Sequence, residues 1–204
     1  MLALAWVVAL YDAYKFRQGN TLLKAGMIRI FSGVVDDTTW QIMHMANTVY
    51  PLDPRIHENL GVLYANYNGS MPISLDERIE GLEWVIQGDK WAANHLVNLA
   101  GMYVQAINAY RMGGDEAKAQ TYLAKLKDVS ERLMRVADFS HMSWGVMGIY
   151  KLLNNQPTEA IPLLQRALTI EPTYAPAQSA MQTAVSLTGL SPMVVQDAIL
   201  QRAQ

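Results

Sequence analysis

The chain has 204 residues, enough for one domain or a short repeat array with a self-supporting core. It contains no cysteine, which excludes disulfides, thiolate metal sites and cysteine nucleophiles, and its 16 Lys+Arg against 18 Asp+Glu lack the basic excess that nucleic-acid binding requires. At 51% hydrophobic and 17% charged residues it is greasier than an average soluble domain, so apolar surface is left over for something to cover.

The run Met1–Tyr11 carries no charge and makes about 16 Å of helix, roughly half of a bilayer core, so it cannot span a membrane alone. No basic residue precedes it and no small-residue cleavage segment follows, which argues against a signal peptide. Asp12, Lys15 and Arg17 come next among Trp6, Tyr11, Tyr14 and Phe16, the aromatic-then-charged order found where a membrane helix leaves the bilayer. Two readings of residues 1–17 stand. They form an apolar first helix packed on the next pair, or they are the end of a transmembrane span that attaches the chain through residues 1–16. Either way, residues 18–204 form the folded domain.

Beyond residue 17 the pattern is helical, without strand alternation, which predicts an all-α domain. Turn residues break it at Gly33–Asp37, Pro51–Pro54 and Asn66–Pro72. Ser74-Leu75-Asp76-Glu77 is a capping box and Gly88 a stop, so a helix is expected over 75–87. Met112–Asp115 divides Ala92–Arg111 from Glu116–Val136, an expected antiparallel pair. Further breaks fall at Asp138–Ser140, Asn154–Pro157, Glu171–Thr173 and Gly189, and Ser191-Pro192 predicts a short last helix to about Arg202.

Paired helices invite a search for repeats. Trp144, Met147, Gly148, Ala160, Leu164, Ala167 and Pro172 fall at the spacing of a two-helix repeat: the small residues sit where the helices cross, the large ones fill between them, and the proline ends the second helix. Pro51 closes an earlier unit containing Met43 and Ala46. His57, Leu60, Gly61 and Tyr64 open the next, and Leu96, Leu99, Ala100 and Tyr103 repeat that opening, with Ala117 and Leu123 or Leu126 in the partner helix. These residues resemble the tetratricopeptide repeat (TPR) family, over roughly residues 20–190, most specifically in 144–172 and in Pro51–Tyr64. Against the family period of about 34 residues, the Leu60–Leu99 and Leu99–Met147 intervals hold 5 and 14 extra residues, which longer helices in the third pair could absorb.

The resemblance implies an α-solenoid of about four antiparallel helix pairs behind an apolar N-terminal helix, acting as a non-catalytic module that docks a protein, peptide or partner helix. By the family pattern the binding groove is lined by the first helix of each pair. Its residues here would be Arg55, Glu58, Asn59, Val62 and Asn66, then Asn94, Val97, Asn98, Gly101 and Gln105, then Met142, Gly145, Ile149 and Leu153. Only Arg55 is basic, so the clamp with which some relatives hold an acidic C-terminal peptide looks absent. The layout is also similar to the C-terminal region of O-antigen ligase- and polymerase-like envelope proteins, some of which end in such repeats after their last membrane helix. That likeness implies a membrane-associated chain with its repeats on the extracytoplasmic side, although Lys15, Arg17, Lys24 and Arg29 would favour the cytoplasmic side.

Catalytic chemistry finds no foothold. His44, His57, His95 and His141 have no second ligand at metal spacing. His57 takes a packing position, and His141 a helix start facing solvent. Glu80 and Glu83 read as a solvated face, and no phosphate-cradling or nucleophile-elbow motif occurs. No cofactor is expected. Met27, Met43 and Met45 read as core filling between imperfect repeats.

Overall fold

Among the described residues each turn signal in the sequence falls at a helix boundary. The computed structural model describes residues 2–51, 53–88 and 93–189. Among these it contains α1 (Leu2–Phe31), α2 (Asp37–Val49), α3 (Pro54–Asn66), α4 (Leu75–Gly88), α5 (Ala93–Met112), α6 (Glu116–Val136), α7 (His141–Leu153), α8 (Pro157–Ile170) and α9 (Ala175–Thr188), and no strand. The capping box forms in both directions: the Ser74 amide donates to Glu77 Oε2 at 2.7 Å, and the Glu77 amide donates to Ser74 Oγ at 3.2 Å. Gly189 closes α9 in the left-handed conformation (φ 66°). The expected last helix to Arg202 lies outside the described residues.

The two insertions have separate homes. Helices α7 and α8 have 13 and 14 residues, whereas α5 and α6 have 20 and 21, so the longer insertion is two extra turns in each helix of the third pair. The shorter one is a loop: residues 67–74 link α3 to α4 where three residues, 154–156, link α7 to α8. That tight turn needs Asn155 in the left-handed region (φ 57°).

The chain divides into two compact units, Met1–His95 and Leu96–Gln204. In the first unit α1 approaches α2 through a buried seam of Gly19, Leu23, Gly26 and Ile30. A Cβ on Gly19 would stand 2.7 Å from Tyr50 Cβ, and one on Gly26 would stand 2.9 Å from Met43 Cγ. Polar clasps tie the helix ends. Arg29 reaches both oxygens of Asp36 at 2.8 and 2.7 Å, while Asp36 caps α2 by accepting from the Thr39 amide at 3.0 Å. The Thr39 amide, then Arg29, hold the Asp36 carboxyl at a pKa of about 2. The neighbouring Asp37 carboxylate gathers the inserted loop: it accepts from the Tyr67 hydroxyl, the Ser70 hydroxyl, and the amides of Ser70 (2.8 Å) and Met71 (3.1 Å). Those donors, Ser70 first, lower its pKa. Arg78 of α4 donates to the terminal carbonyls of α3, Tyr64 O and Ala65 O, both at 2.8 Å.

The second unit relies on small residues. A Cβ on Gly148 would lie 2.6 Å from Leu164 Cγ, so α7 and α8 cross where the repeat frame puts them. Ala160, Leu164 and Ala167 of α8 pack with Ala177, Ala180, Met181, Ala184 and Val185 of α9 in one buried cluster. Helices α5 and α6 run antiparallel: Tyr122 lies 5.8 Å from both Tyr110 and Tyr103, and Lys118 donates to the Tyr110 hydroxyl at 3.2 Å. Arg111 donates to Leu153 O at 3.1 Å, which satisfies the C-terminus of α7 as Arg78 does that of α3.

Two expectations need correction. The apolar run is not a helix of its own, because α1 continues unbroken past residue 17 to Phe31 and is itself the first member of the first pair. The buried small residue near the start of α6 is Ala119, whereas Ala117 is exposed. Two positions along a helix are about 200° apart, so with Ala119 turned inward 3.6-residue periodicity turns Ala117 to solvent. Pro162 lies inside α8, where no break was expected; it is exposed, and the apolar face of the helix carries on through it.

Candidate functional site

The expected groove residues fall in different units. Arg55, Asn59, Asn66 and Asn94 belong to the first, and Asn98, Gln105, Ile149 and Leu153 to the second. Within the first unit several are already engaged. Arg55 ion-pairs at 2.6 Å with Asp53, the N-cap of α3, and reaches Asn20 Oδ1 at 3.5 Å. Its guanidinium lowers the Asp53 pKa, and Asp53 in turn raises that of Arg55. Asn59 is only 6% exposed and donates to Arg55 O at 2.8 Å, so this amide serves its own helix and faces the interior. Asn66 is exposed but donates to Val62 O at 2.9 Å. Asn94 is exposed and carries no side-chain hydrogen bond among the described residues.

In the second unit Gln105 is exposed and Asn98 half-buried, again without a side-chain hydrogen bond among the described residues. Ile149 is partly buried against the α8–α9 cluster, and Leu153 is half-buried at the end of α7. Gly145 is covered by Tyr174, whose Cε1 would meet a Cβ there at 2.6 Å. His141 lies 4.9 Å from the same ring and is half-buried. It does start α7, but it packs on Tyr174 where a solvent-facing side chain was expected. Among the described residues no cluster of three His, Asp or Glu is placed to hold a metal.

A surface that the sequence reading missed lies on the first unit. Tyr14, Arg17, Gln18, Thr21 and Leu22 of α1, with Met45 and Val49 of α2, line an open groove of about 450 Å³. Met45 is exposed while Met43 is fully buried, so the methionines divide between core and groove. The signal was present in the sequence as a second 3–4 spacing on α1, masked by the more apolar residues before it.

Solved structures supply the comparison that fits this geometry. The chain superimposes on the crystal structure of a thermophilic TPR protein of Thermus thermophilus with a TM-score of 0.60, over 84% of this chain and 83% of that one, at 19% identity. The chain has a TPR-like fold. No protein-family model and no curated protein matches it. The TPR likeness is one of fold, and it agrees with the all-α solenoid class that the repeat residues imply. No helix among the described residues is long and apolar enough to cross a membrane.

Proposed function

We propose that this chain is a non-catalytic docking module that holds a peptide or partner helix on the first helices of its TPR-like pairs. The observation that supports the reading is the fold, in which helix pairs leave the side chains of their first helices to recognise a partner. In the second unit the contact residues would be the uncommitted amides Asn98 and Gln105, together with Leu153, while in the first unit Arg55 and Asn59 hold α3 in shape. Neutral amides hydrogen-bond a ligand backbone whatever its side chains, so binding should show modest sequence preference and little dependence on salt.

Selection of displayed random peptides on the purified chain tests this. Enriched peptides should lose about tenfold in affinity for Asn98→Ala with Gln105→Ala, consistent with about 1.4 kcal/mol of hydrogen bonding. Enrichment of none, or binding indifferent to these substitutions and to Leu153→Asp, overturns the reading.

A second reading is favoured by Leu10, Tyr11 and Tyr14, each more than half exposed on α1. In it residues 1–16 attach the chain to a membrane, with the repeats on the extracytoplasmic side as in an O-antigen ligase- or polymerase-like protein. Co-flotation with phosphatidylcholine vesicles that disappears on deleting 1–16 supports it, and no flotation rejects it.

A further inference from the structure

Helix α1 carries two seams at heptad spacing. One, Gly19, Leu23, Gly26 and Ile30, is buried against α2. The other, Tyr11, Tyr14, Gln18, Thr21, Ala25 and Ile28, follows the same alternating 3 and 4 steps and is exposed at all six positions. Tyr11 is 56%, Tyr14 57% and Ile28 67% exposed, and Leu10 and Phe31 beside the seam are 67% and 78% exposed. The seam is about 27 Å long at 1.5 Å per residue, and it borders the groove that Met45 and Val49 complete from α2. A helix that repeats apolar residues at this spacing presents the holes into which a second helix inserts its knobs.

The flanks decide what kind of helix fits. Taking Tyr11 and Tyr14 as core positions a and d, the flanking e and g positions are Lys15, Leu22 and Arg29 on one side and Leu10, Arg17, Lys24 and Phe31 on the other. Arg29 is paired with Asp36 and Lys15 lies over the Tyr11 ring at 4.6 Å, but Arg17 and Lys24 have no ion-pair partner among the described residues. No acidic residue occupies a flanking position. A second copy would therefore set basic flank against basic flank, whereas a helix with acidic flanks meets Arg17 and Lys24 favourably. Gln18 donates to the Tyr14 hydroxyl at 2.5 Å and stands with Thr21 in mid-seam, a polar step that fixes the register of an incoming helix.

We propose that the outer seam of α1 is a docking site for an amphipathic partner helix with apolar a and d positions and acidic flanks. This proposal rests on the docking reading above and deepens it for α1, the first helix of the first pair, where Thr21, Lys24, Ala25 and Ile28 stand one repeat of about 34 residues before Arg55, Glu58, Asn59 and Val62. The basic flanks make binding here salt-sensitive, unlike binding to the neutral amides Asn98 and Gln105.

The probe is a synthetic helix of about three heptads, with Leu at a and d and Glu at e and g, compared with the same helix carrying Lys at e and g. Fluorescence anisotropy at low salt should show the Glu peptide binding at least about tenfold more tightly than the Lys peptide. Arg17→Glu with Lys24→Glu should reverse that preference. Tyr14→Asp with Ile28→Asp should abolish binding of both peptides, with far-UV circular dichroism unchanged and the randomly selected peptides still bound. Equal binding of the two peptides, or a preference indifferent to charge reversal, overturns the proposal. It is overturned equally by a dimer of the chain alone that Ile28→Asp dissociates, or by flotation on phosphatidylcholine vesicles that Tyr14→Asp with Ile28→Asp removes, since these assign the seam to a second copy or to a bilayer.

Discussion

The two units solve one problem, holding helix pairs together, by different chemistry. The second unit works by shape: Gly148 admits Leu164, and alanines on α8 and α9 let the helices close over one apolar cluster. The first unit adds more charge at the helix ends, with Asp36 on Arg29, Asp37 on the inserted loop, Asp53 on Arg55 and Arg78 on the end of α3, where the second has Arg111 on the end of α7 and Asp115 capping α6. The difference follows the insertion. A three-residue turn between α7 and α8 leaves little backbone to satisfy, whereas residues 67–74 bring extra amides that need an acceptor, and Asp37 supplies it.

The comparison breaks first at the glycine crossings. Gly148→Leu should destabilise by about 1–3 kcal/mol, because branched Leu164 is fully buried and cannot step aside. Gly26→Leu should cost less, since its neighbour Met43 is unbranched and can turn. Chemical denaturation of both variants measures the gap, and equal losses would show that both crossings are equally rigid.

Acid separates the units next. Asp36, Asp37, Asp53 and Glu77 of the first unit all have lowered pKa values, against Glu171 in the second. A carboxyl whose folded pKa is depressed contributes stability above its ordinary value, near 3.8 for Asp, and loses it as pH falls through the folded value, about 2 for Asp36. The first unit should therefore lose amide protection between about pH 4 and pH 2 before the second does. His44 adds an earlier step, because burial lowers its pKa and charging it favours unfolding once pH drops below the ordinary 6.5. His44→Phe should remove that step alone, as followed by hydrogen exchange.

Caps give a finer contrast. Ser74→Ala removes both hydroxyl bonds with Glu77, the one donated to Oε2 at 2.9 Å and the one accepted from the Glu77 amide at 3.2 Å, and should cost about 1 kcal/mol. Ser140→Ala should cost less, since it removes one bond, from the Met142 amide at 3.2 Å. Thermal melts of the two variants should rank in that order.

The most local change is Asp37→Ala, which removes the acceptor oxygens altogether. It should expose the amides of Ser70 and Met71 to faster exchange while the α7–α8 amides keep their protection. Protection of Ser70 and Met71 that survives the substitution would show the loop to be held by its own turns.

The helix boundaries were legible in the sequence because caps and breakers act within one turn: Ser74 and Glu77 are three residues apart, and Asn154–Pro157 stops α7 and restarts α8. The repeat frame at Gly148 and Leu164 was legible for the same reason, since its spacing is set by two helices and a short turn. The candidate surface was less so. Asn59 has the spacing of a groove amide, yet burial commits it to Arg55 O, and Gly145 lies beneath Tyr174, which comes from the N-cap of α9.

What the sequence determined by itself is therefore the all-α repeat pattern and its terminal caps, because backbone hydrogen bonding and 3.6-residue periodicity are local properties. Only the tertiary structure decided which of Ala117 and Ala119 is buried, and that Asp37 receives a loop more than thirty residues away. It alone left one of the two seams of α1 in solvent. Each of these depends on which surfaces of distant segments compete for the same contact, and the periodicity of a single helix leaves that contest open.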